Sequence, residues 1–84
     1  MVSVYAIFDE IKKEVYVGLT NNLERRLSEH KRGQSGYTKK YRNPIIFHTE
    51  EFENYQLARK REKYLKSGIG KEYLKEQLKT AGFV

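Results

Sequence analysis

The chain has 84 residues, no cysteine, one proline and six glycines, and it carries a formal charge of +6 at pH 7. A chain this short buries only roughly 60 to 65 % of the surface its unfolded form exposes, so residues 1–84 are read as one small basic domain with a thin core. The longest apolar stretch, Val4 to Phe8, is far below the ~18 residues of a spanning helix, no signal peptide is expected, and the lack of cysteine excludes a disulfide framework and suits a cytoplasmic location.

In chain order, Ser3 to Phe8 and Glu14 to Gly18 are β-branched and aromatic and flank a polar stretch, which predicts a β-hairpin. Asn21 and Asn22 are good helix caps, and Leu23, Leu27 and His30 follow at helical spacing up to Gly33, which predicts a helix of about ten residues. Gly33 to Asn43 reads as a loop. Pro44 to Thr49 predicts a third strand, with proline at its first position, where a missing N–H is tolerated. Asn54 is positioned to cap a second helix running to Lys66, and Gly68 and Gly70 are expected to separate it from a last one over 71–79. The resulting fold class is α+β: a small three-stranded antiparallel sheet flanked by helices, in the order β-β-α-β-α-α.

Charge is unevenly distributed. Residues 1–20, 21–42, 43–54 and 55–84 sum to -1, +5, -3 and +5. Two basic segments separated by an acidic one imply a positive surface built from two elements, the footprint of a polyphosphate partner; a solvated basic surface is the plainer reading.

Several residues go beyond what packing requires. In the second helix the apolar stripe runs through Leu57, Ala58, Arg61 and Leu65, and Glu62 lies along it. An ion pair with Arg59 or Lys66 would explain that carboxylate, as would a ligand for a hard divalent cation. In the first helix Arg26 and His30 share a face at i, i+4, which suits phosphate recognition next to a neutral-pH proton carrier. His48 has no partner at an informative spacing. Tyr5 and Tyr16 share a face if the hairpin register pairs residue 5 with residue 16, and a one-residue slip separates them. The loop presents Tyr37, Lys39, Lys40, Tyr41 and Arg42, a mixture suited to phosphates and bases, or to a surface loop whose tyrosines pack on the sheet.

Ser3-Val4-Tyr5, ten intervening residues and Tyr16-Val17-Gly18 together resemble the two tripeptides of the GIY-YIG nuclease superfamily. The resemblance continues through Thr20 to His30, with an arginine at 26 and a histidine four residues on, and through Tyr37 to Arg42 and Ala58 to Lys63. These segments are similar to the small stand-alone branch related to the excinuclease C subunit of DNA repair. Ser3 stands in place of the first glycine, Val4 and Val17 in place of isoleucines, and Leu19 where the repair branch commonly has lysine.

The resemblance implies a metal-dependent endonuclease acting on DNA, with RNA also open as a substrate. It would leave a 5′-phosphate and a 3′-hydroxyl. The implied roles are Glu62 as ligand for Mg²⁺ or Mn²⁺, Arg26 as neutraliser of phosphoryl charge, Tyr5 as base, and Tyr16 and His30 as groups that orient the water or pass on its proton. Arg25 joins Tyr37, Lys39, Lys40 and Arg42 as the expected nucleic-acid contacts. With no appended recognition domain in the 84 residues, low sequence specificity, selection by DNA shape, or an unidentified protein partner is expected. The alternative functions are a nucleic-acid-binding module that cleaves poorly, and an interaction domain in which Glu62 is only an ion pair.

Overall fold

A computed structural model describes residues 1–33, 41 and 43–83. The elements are β1 (Val2–Asp9), β2 (Glu14–Thr20), α1 (Leu23–Lys31), β3 (Pro44–Phe52), α2 (Tyr55–Lys66) and α3 (Gly68–Thr80). The three strands form one antiparallel sheet in the order β2-β1-β3, so the first strand is central and is buried along its whole length. Among the described residues, no helix is long and apolar enough to cross a membrane.

Strand alternation divides the sheet into two faces. Val2, Val4 and Ala6 face α2 and α3 and form a core with Val17, Ala58, Leu65 and Leu74. Tyr5 and Ile7 face the other way, where Tyr16, Leu23, Tyr41 and Ile46 pack with them beneath α1. Tyr41 thus takes the packing alternative: it is buried against the sheet. Tyr37, Lys39, Lys40 and Arg42 lie outside the described residues.

Two element boundaries and one burial position differ from expectation, each for a reason that local pattern does not carry. The third strand runs on to Phe52 because its acidic end is paired from another element. Arg61 Nε donates to both Glu50 carboxylate oxygens at 3.0 Å, and His48 Nε2 lies 2.6 Å from the same carboxylate. Burial opposes the Glu50 charge, but the hydrogen bonds from His48 and Arg61 outweigh it and hold the carboxyl below its usual range. His48, without an evident partner in sequence, therefore belongs to a clamp between α2 and β3, which also includes an edge-on contact with the Tyr73 ring.

The last helix begins at Gly68, not near residue 71, because Ser67 serves as the C-cap of α2 and the N-cap of α3, its hydroxyl accepting from Gly70 N–H. Gly68 and Gly70 are thus inside the helix. Leu57, expected in the apolar stripe of α2, is 45 % exposed, while Ala58 and Leu65 are fully buried.

The hairpin turn is held by Asp9, which is buried and accepts from Lys12 N–H at 2.9 Å and Asn43 N–H at 2.7 Å. One carboxylate thereby joins the β1–β2 turn to the start of β3. An extra residue, Phe47, enters the third strand where the pairing shifts between Ala6–His48 and Ile7–Ile46. Phe47 packs on the α2/α3 side while Ile46 packs beneath α1, so this bulge lets consecutive residues serve both cores.

Candidate active site

The hairpin register pairs Tyr5 with Gly18 and Ile7 with Tyr16. The offset from a direct Tyr5–Tyr16 pairing is two residues, which preserves the face, so the phenols are diagonal neighbours with ring centroids 6.3 Å apart. Gly18 makes this possible. A Cβ at that position would lie 2.6 Å from the Tyr5 hydroxyl, 2.8 Å from Tyr5 Cζ and 3.0 Å from Tyr16 Cε2. The absence of a side chain on Gly18 is the space the Tyr5 ring occupies.

Above this pair lies α1, started by the Asn22 side chain, which accepts from Arg25 N–H at 3.1 Å. The i, i+4 spacing of Arg26 and His30 then directs both onto the phenols. Tyr5 Oη is 2.9 Å from His30 Nε2, and Arg26 Nε donates to Tyr5 Oη at 3.3 Å. The imidazole packs at 5.5 Å from the Tyr5 ring and 5.4 Å from the Tyr16 ring. Glu29 accepts from Arg26 Nη1 at 3.0 Å and holds the guanidinium from its far side. Four of the expected residues, Tyr5, Tyr16, Arg26 and His30, are therefore in one cluster. Arg25 is exposed and only loosely paired with Glu29 at 3.9 Å, consistent with an outward-facing contact.

Burial separates the two tyrosines. Tyr5 is fully buried, and burial pushes its phenol up to about 12, only partly opposed by the Arg26 hydrogen bond. At pH 7 its phenolate would cost about 7 kcal/mol, at 1.36 kcal/mol per unit. The hydrogen bonds with Tyr5 and Glu29 hold the Arg26 guanidinium firmly charged. Burial, together with the Arg26 charge, lowers the His30 imidazole below its ordinary value, so it is neutral at pH 7. Tyr16, whose ring lies on the same face, is only partly buried, so of the two it is the residue with contact to solvent.

Protonating His30 would bury a second cation beside Arg26. Because its folded-state pKa is lowered, its contribution to stability is complete above the unfolded value of about 6.5 and is lost as the pH falls below it. Denaturant midpoints should therefore fall between about pH 7.5 and pH 5.5, and His30→Gln should remove part of that slope. A slope identical in the variant would show that the imidazole is not the titrating group.

Glu62 is on α2, across the sheet from α1, with its side chain 15 % exposed. Its carboxylate accepts from Lys66 Nζ at 3.2 Å, the ion pair that was one of the readings of its position. Lys66 in turn lines a groove between β2 and the α2–α3 pair, so the Glu62–Lys66 pair is on the β2 side of α2. The candidate residues thus come to the edge strand from its two faces. Among the described residues, no three or more His, Cys, Asp or Glu side chains gather as a metal site.

Residues 1–75 match the family model of the GIY-YIG catalytic domain. The chain belongs to the GIY-YIG family. It is also similar to a UPF0213 protein of Natronomonas pharaonis, 39 % identical over 54 residues, a match that covers 63 % of this chain and 64 % of that protein. No solved structure matches the chain. The GIY-YIG family consists of nucleases, which bind nucleic acid and generally use divalent metals. Sequence reasoning missed two supporting residues of the GIY-YIG site. The spacing of Arg26 and Glu29 at i, i+3 is a local signal for their pairing, whereas the need for a bare backbone at Gly18 depends on a register that only the folded hairpin reveals.

Proposed function

We propose that this GIY-YIG domain is a metal-dependent DNA endonuclease with low sequence specificity or structure selectivity, in which Tyr16 is the proton acceptor and Tyr5 a positioning residue. The observation that carries this reading is the burial of Tyr5 in a network with His30 and Arg26 beside a Tyr16 that is only partly buried. The base assignment implied by family resemblance, Tyr5, is disfavoured by a phenol raised to about 12.

In the proposed reaction a water oxygen attacks phosphorus, its proton passes to the Tyr16 oxygen in its deprotonated form, and the bond to the 3′ oxygen breaks, the 3′ oxygen taking a proton from solvent, leaving a 5′-phosphate and a 3′-hydroxyl. Arg26 is charged, 36 % exposed and fixed at Nε and Nη1. It neutralises the phosphoryl oxygens as negative charge develops on them. Neutral His30 keeps Tyr5 in place, and through Tyr5 the guanidinium.

Glu62 supplies one hard oxygen donor, which fits Mg²⁺ or Mn²⁺ as a single protein ligand completed by waters and substrate oxygens. Such a cation, when bound, would stabilise the departing 3′ oxygen. One observation favours the second reading, a module that binds nucleic acid without cutting it: the Lys66 ammonium already pairs with Glu62. Incubation of supercoiled plasmid and of branched or flap DNA with the protein decides between them. Nicking in Mg²⁺ or Mn²⁺, abolished by chelator and reduced at least ~100-fold by Tyr16→Phe, is the expected result. Binding without nicking on any of these substrates would favour the second reading.

A further inference from the structure

The positive charge of α2 is not distributed evenly around the helix. Ala58 marks the side that faces the sheet. At about 100° per residue, Arg61 falls about 60° to one side of it, where Glu50 of β3 fixes it. Glu62, Lys66, Arg59 and Lys63 fall about 40°, 80°, 100° and 140° to the other side, the first two toward β2, while Lys60 points away from the sheet at about 160° on the Arg61 side. The groove confirms that direction for Lys66, which lines it with Tyr16 and with Lys71 and Lys75 of α3.

Arg59, Lys63, Lys71 and Lys75 are exposed. Among the described residues no carboxylate pairs with Arg59, Lys63 or Lys71. Lys75 meets Glu72 at 3.6 Å with both side chains mostly in water, a pair too loose to neutralise it. One flank therefore carries a run of cations from Arg59 through Lys63 and Lys66 to Lys71 and Lys75, and Glu62 is the one carboxylate of α2 on it. Structural explanations are weak here. Exposed cations of one sign along a helix flank repel one another, and among the described residues the flank is not buried against anything else.

We propose that this β2-facing flank of α2, continued by Lys71 and Lys75, seats the phosphodiester backbone of the substrate. This deepens the nuclease reading and rests on it for the identity of the ligand. From Arg59 to Lys66 the helix rises about 10 Å, roughly three base-pair rises of duplex DNA, so the α2 cations reach phosphates on both sides of Glu62. The surface shares no residue with the expected contacts Arg25, Tyr37, Lys39, Lys40 and Arg42, and it places the backbone across the groove between β2 and the α2–α3 pair.

The test is the salt dependence of binding to a mixed-sequence duplex oligonucleotide, measured without divalent metal on the full chain. Each phosphate contact contributes about 0.9 to the slope of log affinity against log salt. Arg59→Gln with Lys63→Gln should flatten the slope by about 1.8, and adding Lys71→Gln and Lys75→Gln should bring the loss to about 3.6, with helical circular dichroism unchanged. Removing equal charge from α1 and its C-cap, by Lys31→Gln with Arg32→Gln, should flatten it by less than half as much as the Arg59/Lys63 pair. Equal effects from the two double variants would overturn the surface assignment and leave the nuclease reading intact, provided the wild type cleaves plasmid. Failure of the wild type to bind the duplex at low salt would overturn both.

Discussion

Gly18→Ala is expected to lower the cleavage rate by about 100-fold or more while leaving the domain folded. The new methyl would stand 2.6 Å from the Tyr5 hydroxyl and 2.8 Å from Cζ, well inside van der Waals contact. The colliding atoms are the far end of a ring, so the chain relieves the clash by moving the ring and not the sheet. Moving it breaks the 2.9 Å contact with His30 and the 3.3 Å bond from Arg26, and it displaces Tyr16, whose Cε2 would be 3.0 Å from the same methyl. Alanine is tolerated in a strand, so the loss in melting temperature should be only a few degrees. Measuring rate, duplex affinity and thermal unfolding on one preparation checks this. A variant that cleaves as fast as the wild type would show that the position of the phenols is not critical.

The second large effect concerns stability. At Gly70 a Cβ would press into the backbone of α2, against Tyr64 O, Leu65 Cα and, at 2.7 Å, Leu65 C. Backbone cannot rotate away, so Gly70→Ala must push α3 off α2 and open the core around Leu65 and Leu74. A cost of about 3 kcal/mol is a large part of the stability of a domain this small and corresponds to a fall of about 12–24 °C in Tm. Gly68→Ala, two residues earlier in the same helix, meets nothing within 4 Å and should be neutral or slightly stabilising. Thermal unfolding of the pair reads the difference directly. Equal melting temperatures would mean that the α2–α3 approach is not tight.

These two glycines also show where the sequence was legible and where it was not. The hairpin, the capped helices at Asn22 and Asn54 and the third strand follow from local pattern, and the α+β order follows from them. Tyr5 and Tyr16 could be placed on strands and Arg26 and His30 on one helix face. Their convergence depended on a register set by packing across the sheet, which a period-2 pattern leaves open. Gly68 and Gly70 read as a break because glycine usually ends helices, yet Gly70 is the closest approach of two helices. The end of β3 and the role of His48 depended on Arg61, eleven residues beyond Glu50, a pairing to which local alternation is blind. Leu57 was misplaced because a stripe of 3.6 periodicity has soft edges, and α2 is covered on the Ala58–Leu65 line only.

The choice between the two tyrosines came from burial alone. Both carry the same group and are neighbours on one face, but one is enclosed by His30, Arg26 and the sheet while the other is only partly buried. On the far face of the edge strand a groove runs between β2 and Lys66, the partner of Glu62, so a substrate lying across β2 would meet groups from both sides.

Glu62→Gln tests that arrangement most directly, because it preserves shape and removes only the charge proposed to hold a divalent cation. Cleavage of an end-labelled DNA substrate in Mg²⁺, together with duplex affinity measured without metal, should show 5′-phosphate and 3′-hydroxyl products for the wild type. The variant should give no product above background while binding DNA at least as tightly as the wild type. Equal rates of product formation by the two proteins in Mg²⁺ would contradict the account.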